Sequence, residues 1–533
     1  MTAGNAARAA SDETIVWNPD NATGLRMLVR NIGTRYLSIA VEIVLGLLVL
    51  PFNIRHLGAS AYGLWMLAAS VTAYFSVLDL GYAGALVRFV AKYRARRDAA
   101  AINEILSTLF FVFTLIGVVT YLVAALVAFH LQSLFHLSAD QAVLGRHILL
   151  IVTSYVSLGF AFSVFGGIIN GFQRYHLNNV VGALASALAA LVNVVVLAAG
   201  YDLVAVVAAT AVVRLLALFA YRANAYRVFP VLRIRLSLFR LARLREVTGF
   251  SVFMLVLDWA NKINYSVDAI VIGVFLNTAA VAVWTVAQRL AEVTQQLTNQ
   301  LNDLLFPAIV DSDESRQQER LRRIFLSATR LSLATVLPVA GSLFLLAPRL
   351  IFAWVGKDFA ASVRITQLLA IIVGIRVSNG TATTVLKGAG RHRLLAGCNL
   401  SAAGANLVLS LLLVGPLGLV GVALGTLIPI SIAAVFVLFP AACRRAGVSL
   451  PAAAATAVWP AAWPALVMAV WLLASRNWLA VNLAGVMADA ALAGLIYLAI
   501  FVGAAMPADE RQICLAAAQR WLATVRPWLQ EAI

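Results

Sequence analysis

Long apolar runs separated by short polar breaks dominate the chain from Thr34 to Met506. Each run has about 20 residues, the length that a helix needs to cross a hydrocarbon core about 30 Å thick. The breaks carry Gly, Pro and charged residues, which typically end such helices. The pattern predicts an all-α integral membrane fold with about fourteen transmembrane helices. The predicted spans are residues 35–56, 61–91, 107–130, 145–170, 177–200, 203–221, 247–276, 279–309, 324–347, 363–387, 394–415, 417–442, 453–474 and 481–504.

The composition supports the membrane assignment. Hydrophobic residues make up 62% of the 533 residues, charged residues only 12%, and the mean hydropathy is +0.91. An ordinary soluble protein has about 25% charged residues, so a water-soluble fold is excluded. The first 24 residues are polar and lack the apolar core and cleavage site of a signal peptide. We therefore expect them to form a cytoplasmic tail.

Basic residues are concentrated in alternate breaks between the spans. The chain has 40 Lys and Arg against 23 Asp and Glu, a formal net charge of +17. Lys and Arg are retained on the cytoplasmic side of a bacterial membrane, so the pattern predicts a multi-pass inner-membrane protein with both termini in the cytoplasm. Nucleic-acid binding is excluded, because the basic residues are spread over short loops and are not gathered on one face with aromatic residues.

Short sequence segments recur in the two halves of the chain at nearly constant spacing. Leu57, Ala61 and Trp65 correspond to Leu276, Ala280 and Trp284, and Gly171 and Arg174 correspond to Gly388 and Arg391. Halves with an even number of spans enter the membrane in the same sense, which predicts two six-helix lobes related by a parallel pseudo-two-fold axis. The predicted organisation is a tail at 1–24, an N-terminal lobe at 25–225, a basic cytoplasmic linker at 226–246, a C-terminal lobe at 247–445, two further spans at 446–506 and an interfacial helix at 507–533.

The eighth predicted span has a polar face. Gln288, Glu292, Gln295 and Asn299 recur at intervals of three and four residues, so they lie on one side of a helix. Polar groups facing lipid would go unsatisfied, and we therefore expect this face to line a water-filled cavity. Hydrogen bonding between helices is the structural alternative.

The seventh predicted span carries Asp258, Lys262 and Asp268 at compatible spacing. Asp258 and Lys262 are four residues apart and can neutralise each other within the helix. In the alternative interpretation, Lys262 binds an anion and Asp258 is a protonatable partner whose charge changes on binding. Asp268 is a further candidate for coupling to an ion.

Other charged residues lie singly within apolar spans, where an ionised side chain costs about 2.5 to 3.5 kcal/mol on insertion scales. Arg289 belongs to the eighth span, and Arg376 has no acid within one helical turn. A guanidinium in this position suits a pyrophosphate, or a carboxylate on a neighbouring helix. Arg88 and Arg214 are candidates that can also extend to the cytoplasmic interface. Glu42, the only acid of the first span, is a candidate coupling-ion site or a partner for an arginine.

The segments Arg55-His-Leu-Gly-Ala-Ser-Ala-Tyr-Gly-Leu-Trp65 and Leu78-Asp-Leu-Gly-Tyr-Ala-Gly-Ala-Leu-Val-Arg88, together with the two-lobe repeat, resemble the Wzx-type polysaccharide flippases. These flippases belong to the multidrug, oligosaccharidyl-lipid and polysaccharide exporter superfamily. The resemblance covers residues of about 25–445. It implies a central cationic cavity bordered by the first, second, seventh and eighth spans, which opens alternately to each side of the membrane.

The resemblance also implies the substrate and the partners. Family members move undecaprenyl-pyrophosphate-linked glycan outward, so we expect this lipid-linked glycan, membrane lipids and the polysaccharide polymerase machinery as partners. We expect no enzymatic activity, no metal site and no cofactor, with coupling to H⁺ or Na⁺ left open. A lipid II flippase for peptidoglycan and a cation-coupled multidrug antiporter are the alternatives, and the arginines and Lys262 favour an anionic substrate over the antiporter.

Overall fold

The computed structural model describes residues 24–75, 82–248, 267–298, 317–478 and 482–512, together with Ile309, Asp311 and Ala516. In these residues the regular structure is helical and no strand is present. Eleven helices in the described part of the chain are long and apolar enough to cross a membrane. The predicted all-α integral membrane fold is therefore confirmed, whereas the count of fourteen spans is not.

The first compact unit contains the described residues up to Arg289 and the segment Ala403–Gly425. Its helices are α1 (Gly24–Phe75), α2 (Tyr82–Ala95), α3 (Ala99–Phe129), α4 (Ala139–Gly171), α5 (Tyr175–Ala198) and α6 (Leu203–Val228). Gly58 breaks α1 at a φ of 78°, a conformation that glycine adopts without steric cost. This break separates the predicted first and second spans.

The core of the first unit lies between α2, α3, α4 and the end of α6. Leu86, Ile105 and Ile168 are fully buried in it. Helices α2 and α4 approach closely, since a Cβ at Gly171 would lie 2.4 Å from Val90. The apolar face of each of these helices is therefore covered by its neighbours, and the start of α3 is held in a fixed place.

The second compact unit contains the described residues of Leu290–Ala402 and of the part of the chain after Gly425. Its helices are the end of α7 (Thr278–Thr298), α8 (Gln318–Trp354), α9 (Ala361–Ser378), α10 (Gly380–Gly388), α11 (His392–Leu417), α12 (Leu419–Arg445), α13 (Leu450–Ala474) and α14 (Leu483–Ala505), of which α11 and α12 are shared with the first unit. Helix α8 continues through Pro338 and Pro348. Arg349 therefore lies inside a helix, and the break between the predicted spans 324–347 and 363–387 begins only after Trp354.

The local turns agree with the predicted repeat. Helix α4 ends at Gly171 and α5 begins at Tyr175, while α10 ends at Gly388 and α11 begins at His392. In both copies of the repeat, one helix thus ends at the glycine of the motif and the next helix begins four residues later. The predicted domain boundaries stay predictions.

Several predicted features lie outside the described residues. These are the tail, most of the C-terminal interfacial helix, Asp258, Lys262, Asn299 and Cys514. Of the three cysteines, Cys398 and Cys443 are free thiols in the structure.

Candidate functional site

Helix α1 packs tightly on the beginning of α7 within the first unit. The hydroxyls of Ser60 and Thr278 are hydrogen-bonded at 3.0 Å. A Cβ at Gly63 would lie 1.8 Å from the carbonyl oxygen of Thr278, and one at Gly273 would lie 2.6 Å from Leu67. Glycine at position 63 permits this close approach of the two backbones, and Gly273, just before α7, leaves space for the side chain of Leu67. The packing therefore fixes α7 against α1 along the stretch that precedes Arg289.

Arg289 lies against the N-terminal half of α1. Its Nη2 donates a hydrogen bond to the backbone carbonyl of Glu42 at 2.8 Å. A Cβ at Gly46 would lie 1.8 Å from the same nitrogen, so the guanidinium occupies the space that a side chain at position 46 would fill. The structure thus brings together Arg289 and Glu42, two residues that the sequence identified independently.

The side chain of Glu42 is in a polar part of the same unit. Ser38 donates a hydrogen bond to Glu42 Oε1 at 3.4 Å, and the phenol of Tyr221 is close enough to both Glu42 and Arg214 for electrostatic interaction. Arg214 itself is exposed. Residues from α6 and α7 therefore approach the stretch of α1 that carries Glu42.

The polar face of α7 is divided between the two compact units. Gln288 accepts a hydrogen bond from the indole Nε1 of the buried Trp284 at 3.0 Å, which gives this amide a structural partner. Glu292 is exposed and Gln295 is half-buried. Their predicted position on a cavity wall stays a prediction.

The remaining described candidates lie on three different helical segments. Asp268 is buried, with 6% of its surface exposed, and is close enough to the phenol of Tyr74 for electrostatic interaction. Arg88 is exposed on α2, and Arg376 is half-buried in the last turn of α9. Among the described candidates, Arg289 contacts Glu42, and Tyr221 is close to both Glu42 and Arg214.

Two buried ion pairs in the second unit were not identified from the sequence. Arg349 Nη1 lies 2.7 Å from Asp489 Oδ2, and Asp489 is fully buried and also accepts a hydrogen bond from Ser475. Arg330 pairs with Glu510 and donates to the carbonyl of Thr456 at 2.6 Å. In the sequence, a charged residue inside an apolar run, at positions 330 and 489, could have indicated these pairs. These pairs connect α8 to α13, α14 and the residues that follow, so we assign them a structural role.

A polar pair on α11 was also missed. Asn406 and Ser410 are fully buried, and the Ser410 hydroxyl donates to Asn406 Oδ1 at 3.0 Å and reaches the carbonyl oxygen of Val422 at 3.4 Å. A Cβ at Gly425 would lie 2.3 Å from Ser410 Oγ. The signal in the sequence was two polar residues four positions apart, which a search for charged residues in apolar runs does not detect.

The second unit also contains an open groove of about 640 Å³ between α8, α9, α12 and α13. Its walls are almost entirely apolar, and among the described residues that line it none is charged. Gly374 is part of the wall, and a Cβ added there would meet no atom within 4 Å. Such a groove suits hydrocarbon, but no candidate site residue contributes to it.

The sequence profile of the polysaccharide biosynthesis protein family matches residues 28–312, just over half of the chain. No curated protein sequence matches the chain. Among solved structures, the lipid II flippase MurJ in an inward closed conformation is similar with a TM-score of 0.68. At 14% sequence identity, that match covers 90% of this chain and 98% of that protein.

Two multidrug transporters are also similar in structure. An inward-facing multidrug resistance MATE family transporter of the MOP superfamily has a TM-score of 0.61 and 17% identity, over 79% of this chain and 98% of that protein. The MATE multidrug transporter DinF-BH has a TM-score of 0.56 and 16% identity, over 80% of this chain and 97% of that protein. At these identities the likeness establishes a shared fold.

Proposed function

Because the chain belongs to the polysaccharide biosynthesis protein family and has the fold of MOP superfamily transporters, we propose that it is a flippase for polyprenyl-pyrophosphate-linked oligosaccharide. It moves this substrate from the cytoplasmic to the periplasmic leaflet of the bacterial inner membrane by alternating access, for surface polysaccharide synthesis. The observation that carries the proposal is the family match at residues 28–312, which includes every basic candidate except Arg376.

The chemistry of the candidates supports an anionic substrate. A guanidinium binds phosphate oxygens through two parallel hydrogen bonds, and it keeps its charge inside the membrane. We propose Arg289, Lys262, Arg376, Arg88 and Arg214 as contacts for the pyrophosphate. Gln288, Gln295 and Asn299 then contact the sugar hydroxyls, which amide groups can both donate to and accept from.

Acidic candidates suit the coupling of transport to an ion. Glu42, Asp258, Asp268 and Glu292 are carboxylates in or next to membrane-spanning helices, and a carboxylate can exchange a proton or bind Na⁺. The hydrogen bond of Arg289 to the Glu42 backbone supports a link between one basic and one acidic candidate. We propose Glu42 as the described residue best placed to respond to substrate binding.

Two alternatives involve other substrates on the same fold. The structural likeness to a lipid II flippase, with a TM-score of 0.68, favours lipid II as the second candidate substrate. The likeness to multidrug transporters favours a cationic drug, although the basic candidates oppose a cation. We propose that the chain catalyses no covalent reaction in any of these roles.

Depletion of the protein in its host tests the proposal. If it is the flippase, lipid-linked oligosaccharide accumulates in the inner leaflet and surface polysaccharide falls, while cell-wall peptidoglycan and drug resistance stay unchanged. Loss of peptidoglycan with normal surface polysaccharide would assign lipid II as the substrate. Increased drug sensitivity alone would assign the antiporter role.

A further inference from the structure

The segment after α6 crosses the start of α3 and is attached to it through its backbone. It contains a 3-10 turn at Leu236–Leu238 and is helical from residue 241. We call residues 229–245 the basic strap. Asn103 donates from Nδ2 to the carbonyl of Val231 at 3.0 Å and accepts the backbone N–H of Arg233 at 2.8 Å. Ser107 accepts the backbone N–H of Arg235 at 3.2 Å. Because these bonds involve only the main chain of the strap, the side chains of Arg233 and Arg235 take no part in them.

Carboxylates near the strap are paired on its inner side. Glu246 is bound by Lys92 at 2.7 Å and by the Tyr93 hydroxyl at 2.8 Å, and Arg243 contacts Glu104 at 3.0 Å. Burial opposes ionisation of Glu246, but the hydrogen bonds from Lys92, Tyr93 and Arg243 lower its pKa below the ordinary value. Burial and the bond to Glu246 raise the pKa of Tyr93 to about 12, so the phenol keeps its proton. The acids are therefore held inside this cluster and do not neutralise the outer face.

The outer face of the strap combines arginines with apolar side chains. The exposed fractions of Leu236 and Leu241 are 69% and 53%. Among the described residues, no carboxylate lies within ion-pair distance of Arg233, Arg235 or Arg245, and all three are exposed. Further exposed arginines at this end of the first unit are Arg96, Arg97, Arg222, Arg227 and Arg240.

We propose that the basic strap is a binding surface for the headgroups of anionic phospholipids in the adjacent leaflet, with Leu236 and Leu241 in the acyl-chain boundary. Unpaired arginines around exposed leucines are the combination that interfacial segments use, and positive charge complements a leaflet that carries anionic lipid. The strap directly follows α6, a helix long and apolar enough to cross a membrane, which favours a lipid surface over a soluble acidic partner. This inference goes beyond the proposed function, because it does not depend on which substrate is moved.

Lipid enrichment next to the strap tests the proposal. The full chain, with Cys398, Cys443 and Cys514 replaced by alanine and Ser237→Cys labelled with a fluorophore, is placed in nanodiscs of phosphatidylcholine with phosphatidylglycerol. Quenching by brominated phosphatidylglycerol is compared with quenching by brominated phosphatidylcholine at the same mole fraction. We expect severalfold stronger quenching by the anionic lipid, because each basic residue near the surface contributes a factor of about five.

The triple variant Arg233→Gln, Arg235→Gln, Arg245→Gln should remove this preference and leave equal quenching by both lipids. The matched control removes the same charge from exposed positions of the second unit, with Arg323→Gln, Arg391→Gln and Arg393→Gln, and should keep the preference. Leu236→Ser should weaken quenching by both lipids. Equal quenching by the two lipids in the unmodified strap, or the same preference in both triple variants, would overturn the proposal. If the triple variant of the strap does not fold, the comparison of quenching by the two brominated lipids still tests the proposal, because that protein keeps all the arginines of the strap.

Discussion

Arg289 and Glu42 meet through the backbone, since the guanidinium donates to the Glu42 carbonyl at 2.8 Å. Gly46 makes this possible by leaving open the space into which the guanidinium fits. Because Gly46 on α1 has no side chain, the guanidinium of Arg289 on α7 can occupy this position. This relationship gives the most specific prediction for the proposed substrate site.

Gly46→Ala should reduce transport as Arg289→Ala does, because the new methyl group displaces the guanidinium. Loss of one hydrogen bond to a charged group costs about 1.5 to 3 kcal/mol, so we expect a roughly tenfold or greater loss of transport rate from either change. The double variant should be no worse than Arg289→Ala alone.

Gly33→Ala is the matched control for Gly46→Ala. Gly33 lies on the same helix, and a Cβ there would meet no atom within 4 Å. Its transport rate should equal that of the unmodified protein. If Gly46→Ala were equally harmless, the position of Arg289 on α1 would have no part in transport.

The pH dependence of stability should reflect Glu246. Burial raises its pKa, but the bonds from Lys92, Tyr93 and Arg243 outweigh burial and lower it in the folded state. A lowered folded pKa stabilises the protein above the unfolded pKa of about 4.3, and this stability is lost as the pH falls through the folded value. Thermal unfolding between about pH 3 and pH 6 should therefore be less pH-dependent in Glu246→Gln.

Glu319→Gln is a suitable control in the same titration, because Glu319 is an exposed acid, with its side chain 69% accessible. Its unfolding should follow that of the unmodified protein over this range. Parallel curves for Glu246→Gln and the unmodified protein would show that the cluster does not stabilise the fold.

Removal of the buried Asp489 should destabilise the second unit. Asp489→Ala leaves Arg349 without its carboxylate partner, and breaking a buried pair in this way costs about 3 to 5 kcal/mol. We expect a clearly lower thermal unfolding midpoint in detergent, whereas Asp358→Ala, which removes an exposed acid of the same unit, should change little. The double change Arg349→Leu, Asp489→Leu should recover much of the loss. A midpoint unaffected by Asp489→Ala would mean that the pair carries no stability.

The predicted topology can be tested with reporter fusions. A reporter fused after Arg245 should give a cytoplasmic signal, since the basic strap lies in the loop with the largest number of arginines. A fusion after Lys357 should give a periplasmic signal. The opposite pair of signals would reverse the orientation of the chain and remove the direction of transport that we propose.

Hydropathy alone predicted the class of fold, because the length of an apolar run is set by the thickness of the membrane. It located the break between the first two spans at Gly58 to within a few residues. It missed the pairing of Arg330 with Glu510, because nothing local relates two residues that lie far apart in sequence. It also ended the ninth predicted span at residue 347, before Arg349, whereas helix α8 continues to Trp354.

The candidate site was predicted less completely than the fold. A charge inside an apolar run indicated Glu42 and Arg289 separately, but their contact depends on the close packing of α1 and α7. The same criterion cannot separate a substrate contact from a structural ion pair such as Arg349 with Asp489. The neighbouring helices determine whether such a charge pairs within the protein or is available to a substrate.

The most direct test of the central claim is transport in proteoliposomes that contain a defined polyprenyl-pyrophosphate-linked oligosaccharide in one leaflet. We predict protein-dependent movement of the oligosaccharide to the other leaflet, roughly tenfold or more slower in Arg289→Ala and unchanged in Gly33→Ala. Movement at the same rate in empty liposomes and in proteoliposomes, with lipid II moved rapidly by the same protein, would contradict the account.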